Sequence, residues 1–375
     1  MNLIYLMFCT MVLFVGLILA VTPWLMPQTE CFSVTIPHGA RKEEPLRGFM
    51  RSYTLWMAAL TAVCTLAWPV ALTVSPVDLT IRSGEAALTL LLLVTVFVPI
   101  IASFVLMLHY RSRTQAIKRE RGWAPEHASA AAFVGTESFP KPLSLAWNLL
   151  YLPFIAGLAC FTLTHYDQFP GQIPMNVDLA GNVSSTVPKS LLSALFPTFF
   201  LCFMGAIFTL VHWGTIHSKK PIDPAAPATS ALAYATFARV QSIMMVVGGL
   251  MVSGVTAGLI LASSLGTVSM ATAAVTTTIV TIAFVAAITI ISLVMGQSGV
   301  RLFLDTTATG MSRDDDEHWL LGTIYCNRND PSIFVPKRFG IGWTSNVARW
   351  ETWALVAGLV ALCVLLIGLT GAMAS

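Results

Sequence analysis

The sequence predicts an all-α polytopic membrane protein with eight transmembrane helices, both chain ends outside, a small ordered outer loop and a cytoplasmic loop containing a β-hairpin. Three observations predict it. Hydrophobic residues make up 56% of the 375 residues and charged residues 10%, at a mean hydropathy of +0.75, where a soluble domain carries about 25% charged residues. Crossing about 30 Å of hydrocarbon takes roughly 20 apolar residues, and runs of that length occur at about 3–25, 54–74, 86–109, 143–163, 190–213, 236–262, 270–297 and 352–373. Lys and Arg crowd into alternate connections between these runs.

The first connection holds Arg41, Lys42, Arg47 and Arg51; the third holds Arg111, Arg113, Lys118, Arg119, Arg121 and Lys141. Lys219 and Lys220 lie in the fifth, and Arg301, Arg313, Arg328, Lys337, Arg338 and Arg349 in the seventh. Arg239 sits near the start of the sixth run, and the remaining connections hold only Arg82 and Lys189. Positive charge favours the cytoplasmic side, so these four connections are expected inside. No run has a charged residue in its central part. A mid-bilayer charge costs on the order of 2.5–3.5 kcal/mol and usually marks function, so a carboxylate-coupled pump is disfavoured. The opening MNLIYLMFCT lacks the positive n-region of a signal peptide and reads as a retained span. The seven cysteines are scattered, with no zinc or disulfide spacing.

Five regions follow in order: 1–142, with three spans and a basic inner loop; 143–213, a span pair enclosing an outer module at 164–189; 214–297, a linker and two small-residue-rich spans; 298–351, a cytoplasmic module; and 352–375, the last span. Pro69, Pro99, Pro153 and Pro197 are expected to bend their helices. Gly248, Gly249, Gly254 and Gly258 of the sixth span, facing an Ala/Thr-rich seventh, predict a tight pair, with packing inside one chain favoured over a dimer seam. HYRSRTQAIKRERGW continues the third span as a basic helix, read as setting topology or lying against anionic headgroups. SKKPIDPAAPATSA has linker composition.

In the late loop, GTIYC and SIFVP have strand character and flank the turn formers NRNDP, which predicts a hairpin. Trp319, Tyr325, Phe334, Phe339, Trp343 and Trp350 would pack it on the span ends as an interfacial belt, and Thr344, Ser345 or Asn346 would cap the last helix. Asp314, Asp315, Asp316 and Glu317 read as a solvated charge run. The outer segment HYDQFPGQIPMNVDLAGNVSSTVPK is rich in turn formers and reads as an ordered cap.

Tyr166-Asp-Gln-Phe-Pro-Gly-Gln-Ile-Pro174, followed by Gly181 and Lys189, resembles the extracytoplasmic signature of SdpI-type bacterial membrane proteins. That signature has a Tyr, then Leu-Pro, Ile-Pro-x-His, a glycine and a closing lysine; here Phe169 replaces the leucine and Asn176 stands where His is common. The segments 316–331 and 334–346 look like a second module of unknown function found in longer relatives. The resemblance implies a non-enzymatic sensor, immunity or signalling protein. Its partners beside the lipid bilayer would be an envelope-active peptide outside and a cytoplasmic regulatory protein inside, with no cofactor, metal or nucleic acid. The outer-module residues are His165, Tyr166, Asp167, Pro170, Ile173, Pro174, Asn176, Asp178, Gly181 and Lys189. The cytoplasmic-module residues are Trp319, Gly322, Tyr325, Asn327, Asp330, Pro331, Phe334, Pro336, Lys337, Arg338, Gly340, Gly342, Trp343 and Asn346.

His165, Asp167, Asn176 and Asp178 would converge if the outer module held a cation or a basic peptide; the competing reading is turn chemistry with their own backbone. No Ser or Cys nucleophile with a base, paired carboxylate or HExxH helix is present. His109, His212 and His217 fall at expected inner helix ends, where they suit carbonyl hydrogen bonds; a membrane metallohydrolase built from them is the weaker alternative. A permease or exporter of an apolar substrate, using the kinked helices and Thr-rich seventh span, is the alternative function.

Overall fold

The structure is a computed structural model that describes residues 2–74, 82–125, 139–177, 183–220, 222, 226–302, 311, 314–340 and 342–374. In order, the elements are α1 (Asn2–Leu25), β1 (Glu30–Cys31), β2 (Val34–Thr35), α2 (Leu46–Val74), α3 (Arg82–Glu120), α4 (Tyr151–Thr164), β3 (Gln172–Val177) and β4 (Val183–Pro188). There follow α5 (Leu191–Ala194), α6 (Phe196–Ile216), α7 (Pro227–Ile243), a π-helical turn at Met244–Gly248, α8 (Gly249–Ser264) and α9 (Met270–Met295). Last come β5 (Trp319–Leu320), β6 (Ile324–Tyr325), β7 (Phe334–Pro336), β8 (Trp343–Ser345) and α10 (Trp350–Ala374).

Among the described residues, eight helical stretches are long and apolar enough to cross a membrane: Phe8–Leu25, Leu46–Ala71, Ala86–Glu120, Leu145–Thr164, Phe196–Ile216, Pro227–Ser264, Met270–Gly299 and Trp350–Met373. They coincide with the eight runs read from the sequence, and the chain is a multi-pass membrane protein in contact with the lipid bilayer. Helices satisfy every backbone group internally, which lipid requires. Hydroxyls do likewise: Thr278, Thr281 and Thr289 of α9 donate to the carbonyls of Ala274, Thr277 and Val285, so these three threonines carry no unmet polar demand.

The chain folds as two compact units. The first comprises 1–140, 218–237 and 290–352. Its core joins α1, α2 and α3 around Phe32, Tyr53, Met57, Met107 and Tyr110, with Tyr53 hydrogen-bonded to Ser103 at 2.6 Å and Trp24 donating to Thr54 at 2.9 Å. At about 1.5 Å per residue the 39-residue α3 is about twice as long as a bilayer crossing needs, so its end projects into the polar layer.

The second unit comprises 141–217, 238–289 and 353–375. Tyr151, Leu201 and Ala257 pack α4, α6 and α8 together, so α6 is the main neighbour of the sixth span. The seventh meets it through Phe284, which clusters with Met245 and Val252: a Cβ on Gly248 would lie 2.0 Å from the Phe284 ring, whereas Gly254 and Gly258 have nothing within 4 Å. The expected Gly254/Gly258 packing inside the chain is therefore corrected to Gly248 against Phe284. Pro197 is also corrected. It occupies the first turn of α6, where its missing N–H costs nothing. Pro153 lies at the third residue of α4, just after a 3-10 segment Leu145–Leu150.

The hairpin expected between 322–326 and 332–336 does not form. Trp319 and Leu320 pair instead with Tyr325 and Ile324, and Phe334–Pro336 pairs with Trp343–Ser345. Leu321 and Gly322 take positive φ of 51° and 74°, which closes the first ladder early; Gly340 and Gly342, at 94° and 105°, close the second. The last helix starts at Trp350, so Thr344, Ser345 and Asn346 lie outside capping range.

Candidate functional site

The outer segment folds as a clasp. Tyr166–Gln168 makes a 3-10 turn and β3 pairs antiparallel with β4, Ile173 opposite Val187. Phe169, Ile173 and Val187 bury themselves with Leu261 and Met373, which seats the hairpin on the ends of its unit's helices. Lys189 closes the clasp: its Nζ donates to the carbonyls of Asp167 and Phe169 at 3.2 and 3.0 Å and lies 4.7 Å from the Tyr166 ring centre. Among the described residues, the polar candidates His165, Asp167 and Asn176 do not converge. His165 stacks on Phe161 at 4.1 Å and bonds the Phe161 carbonyl and Thr164 hydroxyl, and Asn176 donates across the hairpin to Ser185 at 2.8 Å. Asp167 and Pro170 are exposed and Pro174 is half-buried. Asp178 and Gly181 lie outside the described residues.

The late loop is the larger site, and it draws in segments the sequence left apart. Arg338 is 2% exposed. It donates from Nη1 to Asp316 and from Nη2 to Asp315, lies 3.8 Å from Glu30 and stacks 5.1 Å from the Trp319 ring centre. Lys118 of α3 bridges Asp314 and Asp316 at 2.7 Å each. Asp316 also accepts from the Thr35 N–H at 3.0 Å and the Thr35 hydroxyl at 2.8 Å. Arg111 and Arg338 both donate to the Ser33 carbonyl, and Arg111 also to that of Trp319. A Cβ on Gly322 would lie 2.9 Å from Ser33 Cβ and 3.0 Å from Arg111 Nη1, so only glycine lets the β5–β6 turn approach this closely.

Asp315 and Asp316 are thus drawn into an ion cluster around the buried Arg338, which corrects the solvated reading for these two, while Asp314 and Glu317 stay exposed. Burial alone would push the Asp316 carboxyl up, but Arg338 and Lys118 hold it below its ordinary value. Burial alone would lower Arg338, and Glu30, Asp315 and Asp316 more than reverse that. The basic end of α3 supplies part of this cluster: Arg111 and Lys118 serve it, and Arg121 pairs with Glu43 at 2.8 Å.

A second knot lies beside the first. Asn346, with no exposed surface, donates to the carbonyls of Asn327 and Asp330 and accepts from the Asn327 N–H at 3.0 Å, which fixes the turn through Pro331. Asp330 accepts from Tyr325 at 2.8 Å and Lys219 at 2.5 Å. Burial would raise its carboxyl, yet the bonds from Lys219, the Ser332 N–H and Tyr325 bring it down to about 2. The Tyr325 phenol is pushed up by burial and by Asp330. Ser218 bridges to Phe334, so the start of the linker is stitched into the loop. Gln297 pairs with both backbone groups of Gly342, whose carbonyl also accepts from the Lys337 N–H at 3.0 Å.

The aromatics face inward. Trp319 and Tyr325 are 5% and 2% exposed, Trp343 lies 6.0 Å from Phe237, and Phe339 lies 6.2 Å from Phe32. Of the six aromatics expected as a belt, Trp350 alone is largely exposed, at 72%. Sequence reading missed Glu30, Ser33, Thr35, Arg111, Lys118 and the acid run as site residues, because the contacts that unite them join distant segments.

In the second unit, His212 bridges Asn148 at 2.9 Å and the Leu143 carbonyl at 3.1 Å, while His217 bonds the Trp213 carbonyl at 2.9 Å. An open groove of about 530 Å³ runs between Tyr151, Leu152, Ile155, Gly205 and Trp213.

Residues 328–353 match a family of unknown function, DUF5808. The matched stretch takes in Asp330, Arg338, Gly342 and Asn346 and ends in the first turn of α10. No curated protein and no solved structure matches the chain.

Proposed function

We propose that the chain is a non-enzymatic, SdpI-like protein of the bacterial plasma membrane that senses, or confers immunity to, envelope-active peptides and relays that state to a cytoplasmic regulatory protein. In this reading the clasp at 166–189 meets the peptide or the membrane surface, and the late-loop layer meets the regulatory partner. The observation that carries it is the wiring of the late loop. Its buried charges are spent on one another, and the segments they join, 30–35, 111–118, 218–219 and 314–346, each run directly to or from a span. A shift of those spans must therefore move a fixed polar surface, which suits relay better than chemistry. Cells lacking the protein should become more sensitive to envelope-active peptides, and a soluble protein should co-purify with the wild-type chain but not with an Arg338→Met chain. Unchanged sensitivity together with no co-purifying protein rejects the reading.

The groove beside Tyr151 and Trp213 favours a second reading, a permease or exporter of an apolar substrate. Substrate-dependent flux in proteoliposomes, reduced by filling the groove with Gly205→Leu, supports it; absence of flux rejects it.

A further inference from the structure

We propose that the tip of the β5–β6 hairpin inserts into the bilayer interface, making the late loop a lipid-binding element that grips the leaflet beside it. Leu320, Leu321 and Ile324 are 52%, 57% and 41% exposed, side by side on one short turn, whereas Trp319, Tyr325 and Val335 beside them are buried. Two contacts within the first unit fix the depth of that turn. On one side Gly322 lies against Arg111, and Arg111 donates to the Trp319 carbonyl; Arg111 comes just after the apolar stretch of α3 gives way to His109 and Tyr110. On the other side, Tyr325 bridges to Asn346 and accepts from the Val347 N–H at 3.0 Å, three residues before α10 starts its crossing at Trp350. The hairpin is therefore held between two span ends, at headgroup level, where exposed leucines partition into the acyl boundary. A contact to the end of one crossing helix on one side and to the residues just before another on the other argues for lipid as the occupant rather than a second copy or a soluble partner. The inference stands independently of the peptide-sensing reading.

The full chain is reconstituted in vesicles of phosphatidylcholine and phosphatidylglycerol, with every cysteine except the buried Cys31 replaced by Ser. Bimane is attached at Leu320→Cys or Leu321→Cys, and at Asn329→Cys on the exposed turn of the same module as the reference. The expected result at 320 and 321 is a blue-shifted emission, quenching by doxyl-labelled lipid and loss of iodide quenching, with iodide quenching retained at 329. Iodide quenching at 320 and 321 equal to that at 329 overturns the proposal, and so does shielding from both quenchers, which marks a protein occupant. The unmodified chain gives a second measurement: a diazirine-bearing phosphatidylcholine should crosslink to 319–325, and labelling of the spans without adducts there overturns the proposal.

Discussion

Arg338 decides the character of the late loop. Replacing it with Met removes the counter-charge of Asp315, Asp316 and Glu30 while leaving them in place, and breaking a buried pair in this way costs about 3–5 kcal/mol. Thermal unfolding of the solubilised protein should show the loss, with the late loop newly open to protease; a stability equal to wild type removes the cluster from the account. Asp330 sets the acid limit. Its carboxyl falls from 3.8 to about 2 on folding, so its stabilisation is whole above about pH 4 and is lost as pH drops towards 2. A melting-temperature series from pH 5 down to 2.5 should decline in wild type and be flatter in Asp330→Asn, which starts lower at pH 5. Cys31, fully buried, has its thiol pushed up to about 12, mainly by burial. It should ignore maleimide at pH 7.5 from either side of the membrane and react only after denaturation.

At the scale of elements, the glycines of the sixth span separate packing from composition. Gly248→Ala drives a methyl into the Phe284 ring and should cost about 1–3 kcal/mol, the range for overpacking. Gly254→Ala meets nothing and should stay within about 1 kcal/mol of wild type; equal effects in a denaturation series would contradict the sixth–seventh contact described above. The eight spans were legible because a run of apolar residues declares itself locally. The clasp was legible as ordered, from its prolines and its closing lysine, though not as a hairpin. The late loop was misread because strand character in 322–326 and 332–336 names no partner. Two positive-φ turns, at Leu321–Gly322 and at Gly340–Gly342, close each strand on a nearer neighbour. The ion cluster was illegible for a simpler reason: nothing near Asp316 in the sequence points to Thr35 or Lys118.

For the whole molecule, the four Lys/Arg-rich connections gather through contacts such as Asp316 with Thr35, Lys118 with Asp316, and Lys219 with Asp330, which is the parity that eight alternating spans require. Cys326, half-buried in this layer, reports its side. In intact cells an impermeant maleimide should leave Cys326 unmodified and label it after permeabilisation; labelling from outside would invert the topology. The same cluster sets a schedule for the chain's birth. Thr35 precedes Asp316 by 281 residues, and at about 5–20 residues per second of synthesis the first connection waits on the order of tens of seconds for its acidic partners. During that interval Arg111 and Lys118 stand uncompensated, available to hold their spans in the orientation in which they were inserted. When Asp314–Asp316 emerges, it pairs with Lys118 and with Thr35 of the first connection, and separating these segments afterwards would mean breaking the cluster open.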